Sequence, residues 1–267
     1  MKPLKYWNPE GFEISSYRYS LKERKNQTYK TSGSDSTSLC TYTYNELGFR
    51  GDSIKKEGFK VMSLGCSITE GVGVNDNETW PAQFCEKIEN GVNFNFGTGG
   101  RSNDFICRCL MSYYDLIKPD LVLIMYTFPH RREIYTEDNG IEPYIPTNVW
   151  GKLSETEEGK IIQSSMDILQ NKNADFINWY KNHMLIKLFL ESKKCNWLWD
   201  GKCLSTNHQE FNRFNILDNF KMDLGSDNLH PGPKHHNYYG KILFDYIYKN
   251  FRGYLPSNLI QDKKTLI

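Results

Sequence analysis

The chain has little of what would assign it to a membrane, to a disulfide scaffold or to a nucleic acid. Its longest purely apolar runs fall far short of the roughly 20 residues that a helix needs to cross a bilayer. The N-terminus, Met1 to Pro9, carries Lys2 and Lys5 but no apolar core behind them, so it does not read as a secretory leader, and a cytoplasmic location is expected. Lys and Arg number 33 against 32 Asp and Glu, leaving a net charge of +1 and no global field for nucleic acid or an anionic surface. The seven cysteines, at 40, 66, 85, 107, 109, 195 and 203, are odd in number and irregular in spacing, and form no Cys-x-x-Cys. They are expected to be reduced thiols buried as small apolar groups. No Walker-type Gly-Lys-Ser/Thr, internal repeat or inter-domain linker is present. What is there is 267 residues with an apolar fraction of 39%, enough for the core of one large α/β domain.

The pattern divides the chain into an extension (1–44), a main domain (45–252) with an insertion around 134–170, and a tail (253–267). In the extension, Tyr17–Tyr19 and Thr41–Tyr44 alternate like edge strands, and polar Lys22–Ser38 reads as an exposed loop. Asn45–Gly51 is a turn with an aromatic inside it. Lys60–Leu64, Val92–Phe96 and Leu121–Met125 read as strands. Between them lie a helix capped by Thr79 and ended by Gly91, and a second capped by Ser102 and stopped by Pro119. Strand, helix, strand, helix, strand predicts a mostly parallel sheet with helices on both faces. Thr127–Glu133 is a polar loop at a strand's carboxyl end. Asp175–Glu191 is a helix whose inward face is predicted as Phe176, Trp179, Tyr180, Met184 and Leu188. Asn196–Trp199 is a short strand, and 202–225 a long loop with a short helix. Tyr239, Ile242, Leu243, Tyr246 and Ile247 mark the face of a last helix.

The chain is organised around Val61–Gly73, where an apolar run stops at Gly65 and Ser67 follows at the strand's carboxyl end, a way to present a nucleophile. A serine hydroxyl needs a base, a group to orient that base, and donors for the oxyanion. Asp227-Asn228-Leu229-His230 places a carboxylate and an imidazole on one short turn, so Asp227 can accept from Nδ1–H and leave Nε2 as base. Backbone N–H groups at Ser67 and in the bend 97–100 can converge on the oxyanion. Cys66 is the rival nucleophile. Neighbours on an extended chain point in opposite directions, so only one of the pair faces the base. His230, His235 and His236, with His208, lack the spacing of a built metal site, and no metal is expected. Gly97-x-Gly99-x-x-Ser102 has Ser where a dinucleotide loop has Gly or Ala, and the strand before it is not the first of the sheet, so no cofactor is expected either. Arg131 and Arg132 stand where a substrate group can be met.

These segments resemble the SGNH (GDSL-type) hydrolase superfamily over roughly residues 45–250. Gly65-Cys66-Ser67-Ile68-Thr69-Glu70-Gly71 is similar to its first block, with Cys66 in place of the usual Asp. Asn95-Phe96-Gly97-Thr98-Gly99-Gly100 is similar to the second, Gly100 matching its oxyanion glycine. Asp227-Asn228-Leu229-His230-Pro231 matches the last. The third block, Gly-x-Asn-Asp, departs: Thr127-Phe128-Pro129-His130-Arg131-Arg132-Glu133 contains no Asn to donate to the oxyanion. Candidates for that donor are Thr127, Arg131 and Asn103. The resemblance implies a flavodoxin-like three-layer α/β/α sandwich with a central, mostly parallel sheet. It also implies serine catalysis through an acyl-enzyme by Ser67, His230 and Asp227, without metal or cofactor. The polar loops suggest a short, acetyl-like acyl group on a carbohydrate or similar small molecule, with no nucleic-acid or membrane partner. The alternatives are an O-acyltransferase using the same triad and a catalytically silent binding or structural module.

Overall fold

A computed structural model describes residues 24–32, 39–136, 140–144, 160–161, 164–165, 168–201 and 223–256. Its centre is a five-stranded sheet of β3 (Arg50–Gly51), β4 (Phe59–Leu64), β5 (Gly91–Asn95), β6 (Leu121–Tyr126) and β9 (Asn196–Gly201), in the spatial order β3-β5-β4-β6-β9. The last four are parallel, and β3 pairs antiparallel with β5 at the edge. Among the parallel strands the order is second, first, third, fourth. This is doubly wound topology, and it makes the fold an α/β/α sandwich.

Burial on both faces explains why β4 and β6 read as unbroken apolar runs. Met62, Leu64, Val122, Ile124 and Tyr126 pack beneath α3 (Asn103–Ile117) and α4 (Lys172–Ser192). Val61, Leu121, Leu123 and Met125 pack on the other face beneath α2 (Trp80–Cys85) and α5 (Pro233–Asn250). The caps fall where the sequence placed them, with the Thr79 side chain accepting from Ala82 N and that of Ser102 from Phe105 N, each at 3.3 Å. Helix α2 stops at Cys85, short of Gly91, and Ile88 enters the core from the turn beyond it. Phe49 is the aromatic inside the 45–51 turn, its ring 4.5 Å from that of Phe96. Burial raises the thiol pKa values of Cys85, Cys107 and Cys109, as expected of inert core thiols, and the described cysteines are free.

The inward face of α4 differs from the prediction. Trp179, Ile186 and Leu190 are buried, whereas Tyr180 and Leu188 are 43% and 57% exposed. Polar groups set the helix phase: Asn178 and Asn182 donate through Nδ2 to Asp104 Oδ1 at 3.0 and 2.7 Å, and those two bonds turn Tyr180 and Leu188 outward. The 22–38 segment is not all loop. β1 (Thr28–Ser32) pairs antiparallel with β2 (Leu39–Thr43) in a ribbon of their own, and Tyr44 makes an isolated antiparallel bridge to Arg50 at the edge of the central sheet. The loop after β6 ends earlier than predicted, because β7 (Arg132–Thr136) and β8 (Gly140–Tyr144) form a hairpin. The Tyr17–Tyr19 strand, the helix within 202–222, and His208 lie outside the described residues. Among those described, no helix is long and apolar enough to cross a membrane.

Candidate active site

Strand order reverses between β4 and β6, and in an open parallel sheet the crevice for a ligand lies outside the carboxyl ends at such a reversal. Leu64 is in register with Ile124, so Ser67 and Thr127, each three residues further on, leave the sheet side by side. Ser67 opens a single-turn helix, α1 (Ser67–Glu70). Its side chain is half-buried, and its N–H, at the first helical position, has no intrahelical acceptor.

The Asp227–His230 turn is closed on itself. His230 Nδ1 lies 2.5 Å from Asp227 Oδ2, and Asp227 Oδ1 accepts the N–H groups of Leu229 and His230, both at 3.1 Å. Burial by itself would raise the Asp227 pKa. The ring and backbone donors outweigh it and hold the carboxyl below its ordinary value. The start of α5 is held by Asp223, which accepts from Lys234 N at 2.9 Å and His235 N at 3.0 Å.

This turn is seated against the end of α1. Ser226 N donates to Gly73 O at 2.8 Å, and the buried Cys40 thiol reaches Gly73 O at 3.3 Å and Ser226 Oγ at 3.2 Å. Tyr42 OH accepts the Gly73 N–H at 2.7 Å. Gly73 has a φ of +88°, and a Cβ there would stand 2.9 Å from Asp227 Oδ1, so only glycine fits. Arg50 fixes the α1 end by donating through Nη1 to the carbonyls of Glu70 and Gly71, at 2.9 and 2.7 Å. Hydroxyl and imidazole therefore sit on two segments that touch, but among the described residues no hydrogen bond joins Ser67 to His230. The hydroxyl's neighbour is Cys66 Sγ, at 3.9 Å. The expectation that residues 66 and 67 point in opposite directions fails, because the chain bends into α1 there instead of continuing extended.

On the other side of α1 lies the glycine bend. Glu70 is buried, and its Oε2 accepts the Gly99 N–H at 2.6 Å while Oε1 accepts from Arg24 Nη1 at 3.1 Å and Tyr44 OH at 3.3 Å. Gly97 packs directly on the α1 backbone, where a Cβ would overlap Glu70 N. Gly100 is buried, and its N–H has no acceptor among the described residues. Asn103 opens α3 and bridges to the end of β6, its Oδ1 accepting from Thr127 N at 3.0 Å and its Nδ2 donating to Thr127 O at 3.1 Å. Thr127 Oγ1 accepts from Arg131 Nη1 at 2.9 Å.

His235 and His236 are not loop ligands. Both are buried in α5, and His236 Nδ1 accepts the Trp80 N–H at 3.0 Å. No cluster of His, Cys, Asp and Glu able to hold a metal occurs among the described residues. A cavity of about 500 Å³ lined by Asp52, Lys56, Asp76 and Cys85 shares no residue with this site.

No family model and no curated protein matches the chain. Solved structures that align with it include one from Desulfitobacterium hafniense DCB-2 described as a lipolytic protein of the G-D-S-L family, at 14% identity and a TM-score of 0.32, covering 70% of this chain and 98% of that one. A carbohydrate acetylesterase family member from Sinorhizobium meliloti aligns at 13% identity and a TM-score of 0.32, covering 71% and 97%. Similarity at this level fixes neither family nor activity.

Four supporting residues escaped the sequence reading: Glu70, Arg50, Tyr42 and Asp223. Glu70 and Arg50 lay in segments already singled out, but a charged side chain in a turn reads as solvated unless its buried partners are known. Tyr42 and Asp223 act across more than thirty and about ten residues of sequence respectively, separations that no local pattern reveals.

Proposed function

We propose that the chain is a serine esterase of the SGNH type, hydrolysing a short acyl ester on a carbohydrate or similar polar molecule. The observation that carries this reading is the Asp227–His230 pair, closed at 2.5 Å and seated through Ser226 and Gly73 on the short helix that begins with Ser67. In the proposed reaction Ser67 Oγ attacks the ester carbonyl as His230 Nε2 takes its proton. Asp227 holds the ring in the tautomer that leaves Nε2 free to do so. The Ser67 and Gly100 N–H groups, both without acceptors among the described residues, meet the oxyanion. His230 returns the proton to the leaving alcohol, which departs and leaves the acyl-enzyme. Water, activated by the same imidazole, then attacks the acyl carbonyl and releases the acid and the Ser67 hydroxyl. The third donor is assigned to the Thr127 hydroxyl, whose oxygen accepts from Arg131 and whose own hydrogen remains to be given, or to the second N–H of the Asn103 amide.

One observation favours a silent binding module instead: no hydrogen bond joins Ser67 to His230 in the described structure. Such bonds are often long in free enzymes and tighten on substrate. A fluorophosphonate probe decides between the two. Labelling of the wild type and of Cys66→Ala, with none of Ser67→Ala, supports the esterase. Absence of labelling in all three, or equal labelling of Ser67→Ala, supports the silent module. Release of p-nitrophenol from its acetate, with and without acceptor sugars, separates hydrolysis from acyl transfer.

A further inference from the structure

Resting on the esterase reading, we infer that Arg131 selects esters bearing an anionic group, a carboxylate or sulfate carried on the same molecule as the acyl group. Arg24, Arg50, Arg108 and Arg132 are each paired with a carboxylate: Glu70, Asp76, Glu133 and Asp175. Arg131 has no such partner among the described residues. Glu133, two residues on, binds Arg108 through two bonds, and Asp175 binds Arg132.

The guanidinium is nevertheless held in one orientation. Nη1 donates to Thr127 Oγ1 at 2.9 Å, and Cζ stands 5.0 Å from the centre of the Phe128 ring. The remaining edge is Nε and Nη2, the parallel pair of donors that grips a planar or tetrahedral anion through two bonds. Nε is buried and has no acceptor among the described residues. A buried charged donor without an acceptor carries a desolvation cost that an arriving anion would relieve. Thr127 follows β6, which pairs in parallel with β4, the strand that leads to Ser67, so Arg131 stands at the carboxyl-end side of the strand reversal where a ligand crevice forms.

The test uses the full chain and three acetylated sugars that differ in one group: methyl glucuronoside, methyl glucoside 6-sulfate and uncharged methyl glucoside. Wild type is expected to show a kcat/KM at least about tenfold higher for one or both anionic esters than for the neutral one, the size of a charge-assisted pair. The arm with the larger ratio distinguishes carboxylate from sulfate. Arg131→Gln is expected to bring the ratio near one, Arg131→Lys to retain part of it, and Arg131→Glu to reverse it. Equal rates for charged and neutral esters in wild type overturn the inference. So does an equal loss on all three in Arg131→Gln, the signature of an oxyanion donor. If no ester is turned over, calorimetric binding of methyl glucuronoside against methyl glucoside to Ser67→Ala still reads the anion site. Binding that needs Arg131 supports the inference even though the hydrolytic reading has failed, and absence of any preference overturns it.

Discussion

Glu70 Oε2 accepts the Gly99 N–H at 2.6 Å, and this contact ties the helix that begins at Ser67 to the bend that carries Gly100. A buried carboxylate therefore sets the spacing between the proposed nucleophile and one of its oxyanion donors, with Arg24 balancing its charge. Glu70→Ala would leave Arg24 buried without its counter-ion and Gly99 N–H without an acceptor. A loss of roughly 3–5 kcal/mol in stability is expected from breaking a buried pair. Glu70→Gln keeps an acceptor for Gly99, so it should retain more activity than Glu70→Ala. Urea unfolding and p-nitrophenyl acetate turnover on both variants check this, and equal activity in the two would remove the positioning role.

Asp227→Asn tests the orienting bond. The amide preserves shape but favours the wrong imidazole tautomer, so kcat should fall roughly 10⁴-fold with little change in KM. The Asp227 pKa lies below its ordinary value in the folded state, so its contribution to stability is complete above the unfolded value and is lost as pH falls through the folded one. Chemical denaturation below pH 4 should show a shallower acid loss in Asp227→Asn than in wild type.

Gly73→Ala probes the seat of that turn. The added methyl meets Asp227 Oδ1 in a backbone conformation of φ +88°. The left-handed strain alone costs about 1–2 kcal/mol, and relief by shifting the turn would move His230. Activity should drop by more than the melting shift explains, measured at a temperature where the variant is fully folded.

His236 gives a pH signature unrelated to catalysis. Burial, helped by nearby positive charge, lowers its pKa to about 3, and the neutral ring accepts from Trp80 N. The folded pKa lies below the unfolded one, so stability is complete above about pH 6.5 and declines as pH falls from there toward 3. His183, lowered to about 4 by burial, adds to the same slope. Melting temperature measured from pH 7 to 4 should fall, and His236→Gln should flatten the fall. An unchanged slope in that variant would place the acid sensitivity elsewhere.

Much of the frame was legible without coordinates. The parallel strands, the Thr79 and Ser102 caps and the turn around Phe49 follow from runs and stops of a few residues, which report local preference and burial directly. Asp227 and His230 were legible as a pair because three residues of chain suffice to close their turn. Where several elements compete for one helix, pattern failed: Asn178 and Asn182, drawn to Asp104 on α3, rotated α4 so that Leu188 faces out.

The sequence by itself determined that a serine follows the first parallel strand, that a carboxylate stands three residues before a histidine, and that glycines follow the second strand. Only the tertiary structure decided that Glu70 would be buried between α1 and the glycine bend, and that Cys66 and Ser67 would face the same side. It also decided that Arg131 would have no carboxylate among the described residues while Arg108 and Arg132 were paired. The burial of Glu70 and the pairing of the arginines depend on groups more than twenty residues apart competing for the same donors and acceptors, and that competition is settled only once the sheet has brought them together; Cys66 and Ser67 are set by the bend into α1.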